Sequence, residues 1–215
     1  MAEITINAQS SIRVGGSKTV YFDPFRITKE THDADIIFVT HEHFDHFSPE
    51  DIVKVAKADT VFVAPESMKK AVNGASLGIE KFVYVKAEEA DTVNGNIDGI
   101  EYGWVRAYNV GKPFHAKESN WVGYIVNIDG VKYFVTGDTD ANEDNLKVKC
   151  DVLLVPCGGK YTFDAVEAAE FAAKLAPKKA IPTHYGNVVG AANDGETFAK
   201  KLGQLKSEIE VEILL

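Results

Sequence analysis

The 215-residue chain reads as an α/β protein whose helices pack outside two central sheets, an αββα sandwich. Three observations predict this. Short runs rich in β-branched and aromatic residues, such as Ile36-Ile37-Phe38-Val39 and Val152-Leu153-Leu154-Val155, recur from end to end. Helix-period stretches alternate with them in both halves. Several polar residues able to do chemistry fall directly after an apolar run, where the carboxyl ends of sheet strands gather functional groups in α/β proteins.

The elements follow in order. Residues 3–7, 11–14 and 19–22 alternate as short strands around Gly15-Gly16. Residues 36–40 form a buried strand and 49–58 a helix, with Ser48 as N-cap, Pro49 at the first helical position and Asp51 where a capping partner sits. A strand over 60–64, a helix over 66–73 ending near Gly74 and a strand over 81–85 come next. Gly-punctuated strands fill 91–109, and strands at 121–128 and 131–136 flank Asp129-Gly130, a hairpin-turn dipeptide. The second half continues as strand 151–155, helix 164–175, strand 179–182, helix 193–205 and strand 208–214. Helix 164–175 carries the stripe Ala165, Ala168, Ala169, Ala172 and Leu175, the spacing for packing on a sheet. No Pro- or Ser-rich linker divides the chain, so residues 1–215 are expected to form one domain.

Composition narrows the function classes. Hydrophobic residues at 45% and charged residues at 26% are ordinary globular values. A net charge of −9 without a Lys/Arg cluster argues against nucleic acid as a partner, since phosphate contacts need a basic surface. The first dozen residues have no continuous apolar core like that of a secretory leader, and no apolar run approaches a membrane span. A cytoplasmic protein with no membrane partner is the expectation, with Cys150 and Cys157 as free thiols. Cys157, after Pro156, reads either as a buried bystander or as a neighbour of the site.

The densest signal is Thr40-His41-Glu42-His43-Phe44-Asp45-His46, set directly after 36–39. Imidazole and carboxylate suit zinc and its first-row neighbours. A solvated loop ahead of a helix accounts for Ser48 to Asp51 but not for three histidines and an aspartate immediately upstream. His115 follows Lys112-Pro113-Phe114, Asp138 follows Val135-Thr136-Gly137, and His184 follows Pro182-Thr183. Of six histidines, His32 alone falls outside the pattern.

This order, T-H-x-H-x-D-H followed by a lone His, a Gly-Asp and a late His, resembles the metallo-β-lactamase-fold hydrolase superfamily from Asp23 to His184. The resemblance implies a metallo-β-lactamase-like αββα fold and two Zn2+ per chain, with Mn2+ as the other candidate. His41, His43 and His115 would hold one metal. Asp45, His46 and His184 would hold the second, with Asp138 bridging. Two metals roughly 3.5–4 Å apart can share a water, present hydroxide to a carbonyl or phosphorus and polarise the attacked oxygen. Asp45 would orient that hydroxide as the catalytic residue. Asp23 would support the ligand loop by hydrogen bonds, as carboxylates behind ligating histidines do; read from its own residues, it is equally a turn residue before Pro24. A redox-active di-iron relative carries a carboxylate at position 43, where this chain has His43, so hydrolysis is expected. The details Trp121-Val122-Gly123-Tyr124, Gly158-Gly159-Lys160-Tyr161-Thr162 and His184-Tyr185-Gly186 are similar to the small, stand-alone branch related to ascorbate-phosphate lactonase. This chain is much shorter than that lactonase and lacks the extra domain of RNA-processing members.

The implied activity is cleavage of an ester, lactone or phosphodiester of a small molecule. The other class is a non-catalytic metal-binding or sensor protein on the same fold. Tyr161 and Tyr185 are candidates for substrate contact, each with packing as the alternative. Gly158-Gly159 is a candidate anion cradle through its backbone N–H groups, and Lys112 either binds an anion near His115 or is solvated surface. Trp104 and Trp121 read as core residues rather than substrate platforms.

Overall fold

A computed structural model describes residues 2–215; Met1 and the side chains of residues 91–93 lie outside the description. Six strands form the first sheet, in the order β1 (Glu3–Ile6), β2 (Ile12–Gly15), β3 (Thr19–Phe22), β4 (Ala34–Phe38), β5 (Ala56–Pro65) and β6 (Lys81–Val85). The second sheet has seven: β7 (Asp91–Ile97), β8 (Ile100–Arg106), β9 (Val122–Ile128), β10 (Val131–Val135), β11 (Val152–Pro156), β12 (Lys179–Thr183) and β13 (Glu210–Val211), in reverse spatial order. In each sheet, antiparallel hairpins give way to a run of parallel strands: β3 to β6 in the first, β10 to β13 in the second. Parallel pairing aligns carboxyl ends, so everything following β3, β4, β10 and β12 emerges at common edges.

Three apolar layers hold the sheets and helices together. Phe22, Phe38, Tyr124, Tyr133, Leu154 and their neighbours fill the space between the sheets. Ile37, Phe62, Met68 and Val72 join the first sheet to α1 (Pro49–Val55) and α2 (Lys69–Asn73). Phe134, Leu153, Phe171 and Phe198 join the second sheet to α3 (Ala165–Leu175) and α4 (Asp194–Leu205). This is the αββα sandwich expected. The stripe on α3 is buried as its spacing requires, and Asp164 caps that helix in a reciprocal box with Glu167. Asp129 and Gly130 both take positive φ (53° and 81°) and close the β9–β10 hairpin.

Boundaries moved where local chemistry was misread. The helix at Pro49 ends at Val55 rather than residue 58, because Ala56 is already extended and opens β5. Ser48 sits at the N-cap but accepts no backbone N–H; its hydroxyl donates to Asp51 (2.8 Å). Asp51 instead accepts the amides of Arg26 (2.8 Å) and Ile27 (3.0 Å), tying the preceding loop to α1. The helix expected over 66–73 begins as a 3₁₀ turn, Glu66–Met68. The last strand is confined to Glu210–Val211, at a sheet edge. Among the described residues, no helix is long and apolar enough to cross a membrane.

Candidate metal centre

The loop after β4 turns as tightly as its sequence suggests. His46 and Phe47 amides both donate to the His43 carbonyl, which curls 41–47 into one compact turn and sends its polar side chains to one side. The second sheet meets it from across the sandwich: Val122 N donates to Thr40 O (3.3 Å) and Tyr124 Oη to Val39 O (3.0 Å). Gly137, at φ +64°, lets the strand end bearing Asp138 approach; a Cβ there would stand 3.1 Å from the Thr40 side chain and from the Val122 carbonyl. His184 is delivered by the end of β12, its amide held by the Gln9 carbonyl (3.0 Å). Asp23, His115 and His184 all adopt positive φ (45°, 54° and 57°). Non-glycine residues in this region carry strain and concentrate at functional sites.

All seven ligand candidates converge. Donor atoms of His41, His43, His115 and Asp138 lie within 4.8 Å of one another, and those of Asp45, His46 and His184 form a second such group. His41 Nε2 is 3.0 Å from His43 Nδ1, and His115 Nε2 is 3.3 Å from Asp138 Oδ2. His184 Nε2 stands 3.2 Å from Asp45 Oδ2 and 3.5 Å from Asp138 Oδ2, while His46 Nε2 is 3.4 Å from Asp138 Oδ1. The Asp138 carboxylate therefore stands between both groups.

These spacings fit a metal. Ligands about 2.0–2.1 Å from a tetrahedral zinc are separated by about 3.3 Å. Buried His46 Nε2, His115 Nε2 and Asp138 Oδ1 lack any hydrogen-bond partner in the protein, although orphaned buried polar atoms are costly. The tautomers point the same way. His46 Nδ1 donates to Asp23 Oδ2 (2.7 Å), and His115 Nδ1 to the Tyr161 carbonyl (3.0 Å), so each Nε2 keeps a free lone pair. Thr40 Oγ1 gives its single proton to Asp23 (2.7 Å), and so accepts from His41 Nδ1 (3.0 Å). The amide of Thr40 also donates to Asp23 (2.7 Å). Asp23, with 0% exposure, fixes the ligand loop directly and through Thr40.

Electrostatics favour a cation. Burial holds the His41 and His43 imidazoles below their ordinary range, in the neutral form that ligates. Burial would raise Asp138, but His184 and His46 outweigh it and hold this carboxyl well below its usual range. At His46 burial is outweighed by Asp138 and Asp23, which raise the ring's affinity for a proton, the positive charge that a bound metal would replace.

A cavity of about 320 Å³ opens onto the clusters, bounded by His43, Asp45, His115, Asp138, His184, Phe44, Phe114, Tyr161, Val188 and Val189. Tyr161 lines it, and its ring meets Phe114 edge-on at 4.7 Å. Tyr185 does not. It is 3% exposed, packed in the apolar layer under α4, because the positive φ values of His184 and Gly186 turn it away from the cavity. Trp121 is no core residue: it is half-buried, with its ring 4.8 Å from those of both His41 and His43. Trp104 is core. Lys112 is consumed by Asp140 (2.6 Å) and the Thr162 carbonyl (2.7 Å), and Gly159 donates to Phe163 in the local turn rather than cradling an anion. Cys157 is buried, its thiol pushed up by burial.

Sequence reasoning passed over Thr40, Asn109 and the Val188-Val189 wall. Asn109 donates to the Tyr161 carbonyl (2.6 Å), bracing the group that orients His115. Phe44 and Phe114, adjacent in sequence to His43 and His115, were legible as neighbours of ligands.

An αββα sandwich with a His/Asp centre at the shared strand edge defines the class. A model of the β-lactamase superfamily domain matches residues 4–184, and the chain belongs to that family. A protein named a metal-dependent hydrolase from Thermococcus kodakarensis is 30% identical, with 98% of this chain and 96% of that protein covered. A solved structure from Parabacteroides distasonis, provisionally named a metal-dependent hydrolase, is 28% identical with TM-score 0.77 over 99% of this chain and 92% of its own. Igni18, a metallo hydrolase from Ignicoccus hospitalis, shares the fold at 19% identity, with TM-score 0.77 over 99% of this chain and 94% of that one.

Proposed function

We propose that this chain is a metal-dependent hydrolase that holds two divalent cations, zinc or manganese, and cleaves an ester, lactone or phosphodiester of a small molecule. The observation that carries the reading is the pair of donor clusters meeting at Asp138 and open to a cavity. The hydrolase names of the relatives support it. When bound, two such cations supply Lewis acidity, which brings a shared water toward neutral pKa and polarises the attacked oxygen.

The chain's own groups do the rest. His41, His43 and His115 would hold one cation, with Thr40 setting the His41 tautomer and the Tyr161 carbonyl that of His115. Asp45, His46 and His184 would hold the other, and the Asp138 carboxylate stands between the two donor groups. Asp45 has its Oδ2 against His184 (3.2 Å) and lines the cavity, where it can accept a proton and orient the nucleophile. No Ser or Cys nucleophile is needed. A closed structural zinc needs four ligands; seven donors beside a cavity leave room for water and substrate, which disfavours a purely binding or sensing role.

Elemental analysis after reconstitution is expected to find up to two Zn or Mn per chain, and a screen of esters, lactones and phosphodiesters to find turnover. Failure to retain any metal would sink the proposal. Metal retained with no turnover across the screen would favour the sensor reading.

A further inference from the structure

We infer that the substrate carries an uncharged, apolar group beside its scissile bond, gripped by Phe44, Phe114, Tyr161, Val188 and Val189, and that phosphodiesters are disfavoured. The inference rests on the hydrolase reading and narrows its substrate class. Outside the ligand candidates, every described residue lining the cavity is one of these five, and none carries a charge.

Phe44 is 67% exposed and Phe114 40%, each one residue from a ligand candidate. Isolated exposed apolar residues are ordinary, but a contiguous set around one concavity marks a binding surface. Both rings are placed rather than loose: Phe44 meets Phe25 at 6.0 Å and Phe114 meets Tyr161 at 4.7 Å.

Beyond the metals themselves, cationic side chains near the reacting group would favour an anionic phosphodiester. Here, among the described residues, no Lys or Arg lines the cavity. Lys112 is bound by Asp140 and the Thr162 carbonyl, Arg26 by Asn187, and Lys160 lies over the Tyr161 ring (4.6 Å) without lining the cavity. The site is thus built for a neutral electrophile with a hydrocarbon flank.

Isothermal titration of zinc-reconstituted protein with acetohydroxamic and hexanohydroxamic acids, and with hexylphosphonate, tests this without relying on turnover. Each buried methylene should tighten binding about fourfold, so the six-carbon hydroxamate should bind at least about tenfold tighter than the two-carbon one. It should also bind tighter than the phosphonate. The double variant Phe44→Ala/Phe114→Ala, at exposed positions where folding is not at stake, should lose most of that advantage. In parallel, kcat/KM should favour 4-nitrophenyl hexanoate over bis(4-nitrophenyl) phosphate. Metal uptake with no chain-length dependence, or with phosphonate and diester preferred, overturns the inference and leaves the hydrolase reading intact. No metal uptake overturns both. A dimer that the double variant dissociates would assign the apolar set to a subunit contact and would also overturn it.

Discussion

Asp23→Asn is the sharpest probe of the candidate centre, because its consequence can be followed atom by atom. The carboxylate accepts three hydrogen bonds, from the Thr40 amide on Oδ1 and from Thr40 Oγ1 and His46 Nδ1 on Oδ2, each 2.7 Å. An amide keeps the shape but turns one acceptor into a donor. If the NH2 takes the Oδ1 place, it faces the Thr40 N–H, which cannot reverse. If it takes the Oδ2 place, His46 must move its proton to Nε2 and lose the lone pair aimed at the cluster. Thr40 Oγ1 then turns its proton toward His41 Nδ1, and His41 loses its lone pair in the same way. The first case leaves a buried donor unsatisfied, at about 1–3 kcal/mol, or about 2–4 °C in Tm per kcal/mol for a chain of this size. The second weakens metal binding by about 10–100-fold, the usual effect of removing support behind a ligand. Chelator competition followed by elemental analysis, alongside thermal denaturation of the apoprotein, separates the two. His32→Ala is the control, since His32 lies outside both clusters. An Asp23→Asn protein with wild-type metal affinity and wild-type Tm would refute the tautomer argument.

Other expectations are equally concrete. Asp45→Asn should keep the metal on His41, His43 and His115 yet lower turnover by about 10²–10⁴-fold; full activity in single-turnover assays would remove Asp45 from its assigned role. Trp121 fluorescence should change on zinc addition, because its ring stands 4.8 Å from those of His41 and His43. Trp104→Phe should preserve that change and Trp121→Phe should abolish it; the reverse pattern would contradict the placement. Burial raises the Asp51 carboxyl, but Lys54, Ser48 and the Arg26 amide outweigh it and hold it below its ordinary 3.8. Its contribution is therefore present above that pH and lost as pH falls through the lower folded value. The stability gap between wild type and Asp51→Asn, measured by urea unfolding, should close on acidification below 3.8; a constant gap would argue against the linkage.

The seven ligand candidates were legible because six positions of one loop held four of them, and strand ends placed the rest. Their supports were less so. Thr40 was visible only as a motif letter, since its role depends on which proton it gives Asp23. Tyr185 takes the packing role that was its alternative reading, because neighbouring left-handed residues break the alternation that would have turned it toward the site. Trp121 read as the start of a strand, yet β9 begins at Val122 and the ring is left outside the sheet. Val188-Val189 carried no motif at all. Their place on the cavity wall follows from the path of a Gly-rich loop, held in part by the Val188 amide on Gln9 Oε1 (3.2 Å).

The centre draws His41, His43, Asp45 and His46 from the half of the chain that builds the first sheet, and His115, Asp138 and His184 from the half that builds the second. Neither half alone can complete either proposed ligand set, since the first needs His115 and the second needs His184. Bound cations would then act as rivets across the sandwich, and their affinity would appear as cohesion between halves. Binding to the folded form alone adds about 4 kcal/mol when free metal is a thousandfold above its Kd. Chain pieces cut in the β6–β7 connection would thus be expected to reunite through the apolar layer between the sheets, and more tightly with zinc than without it.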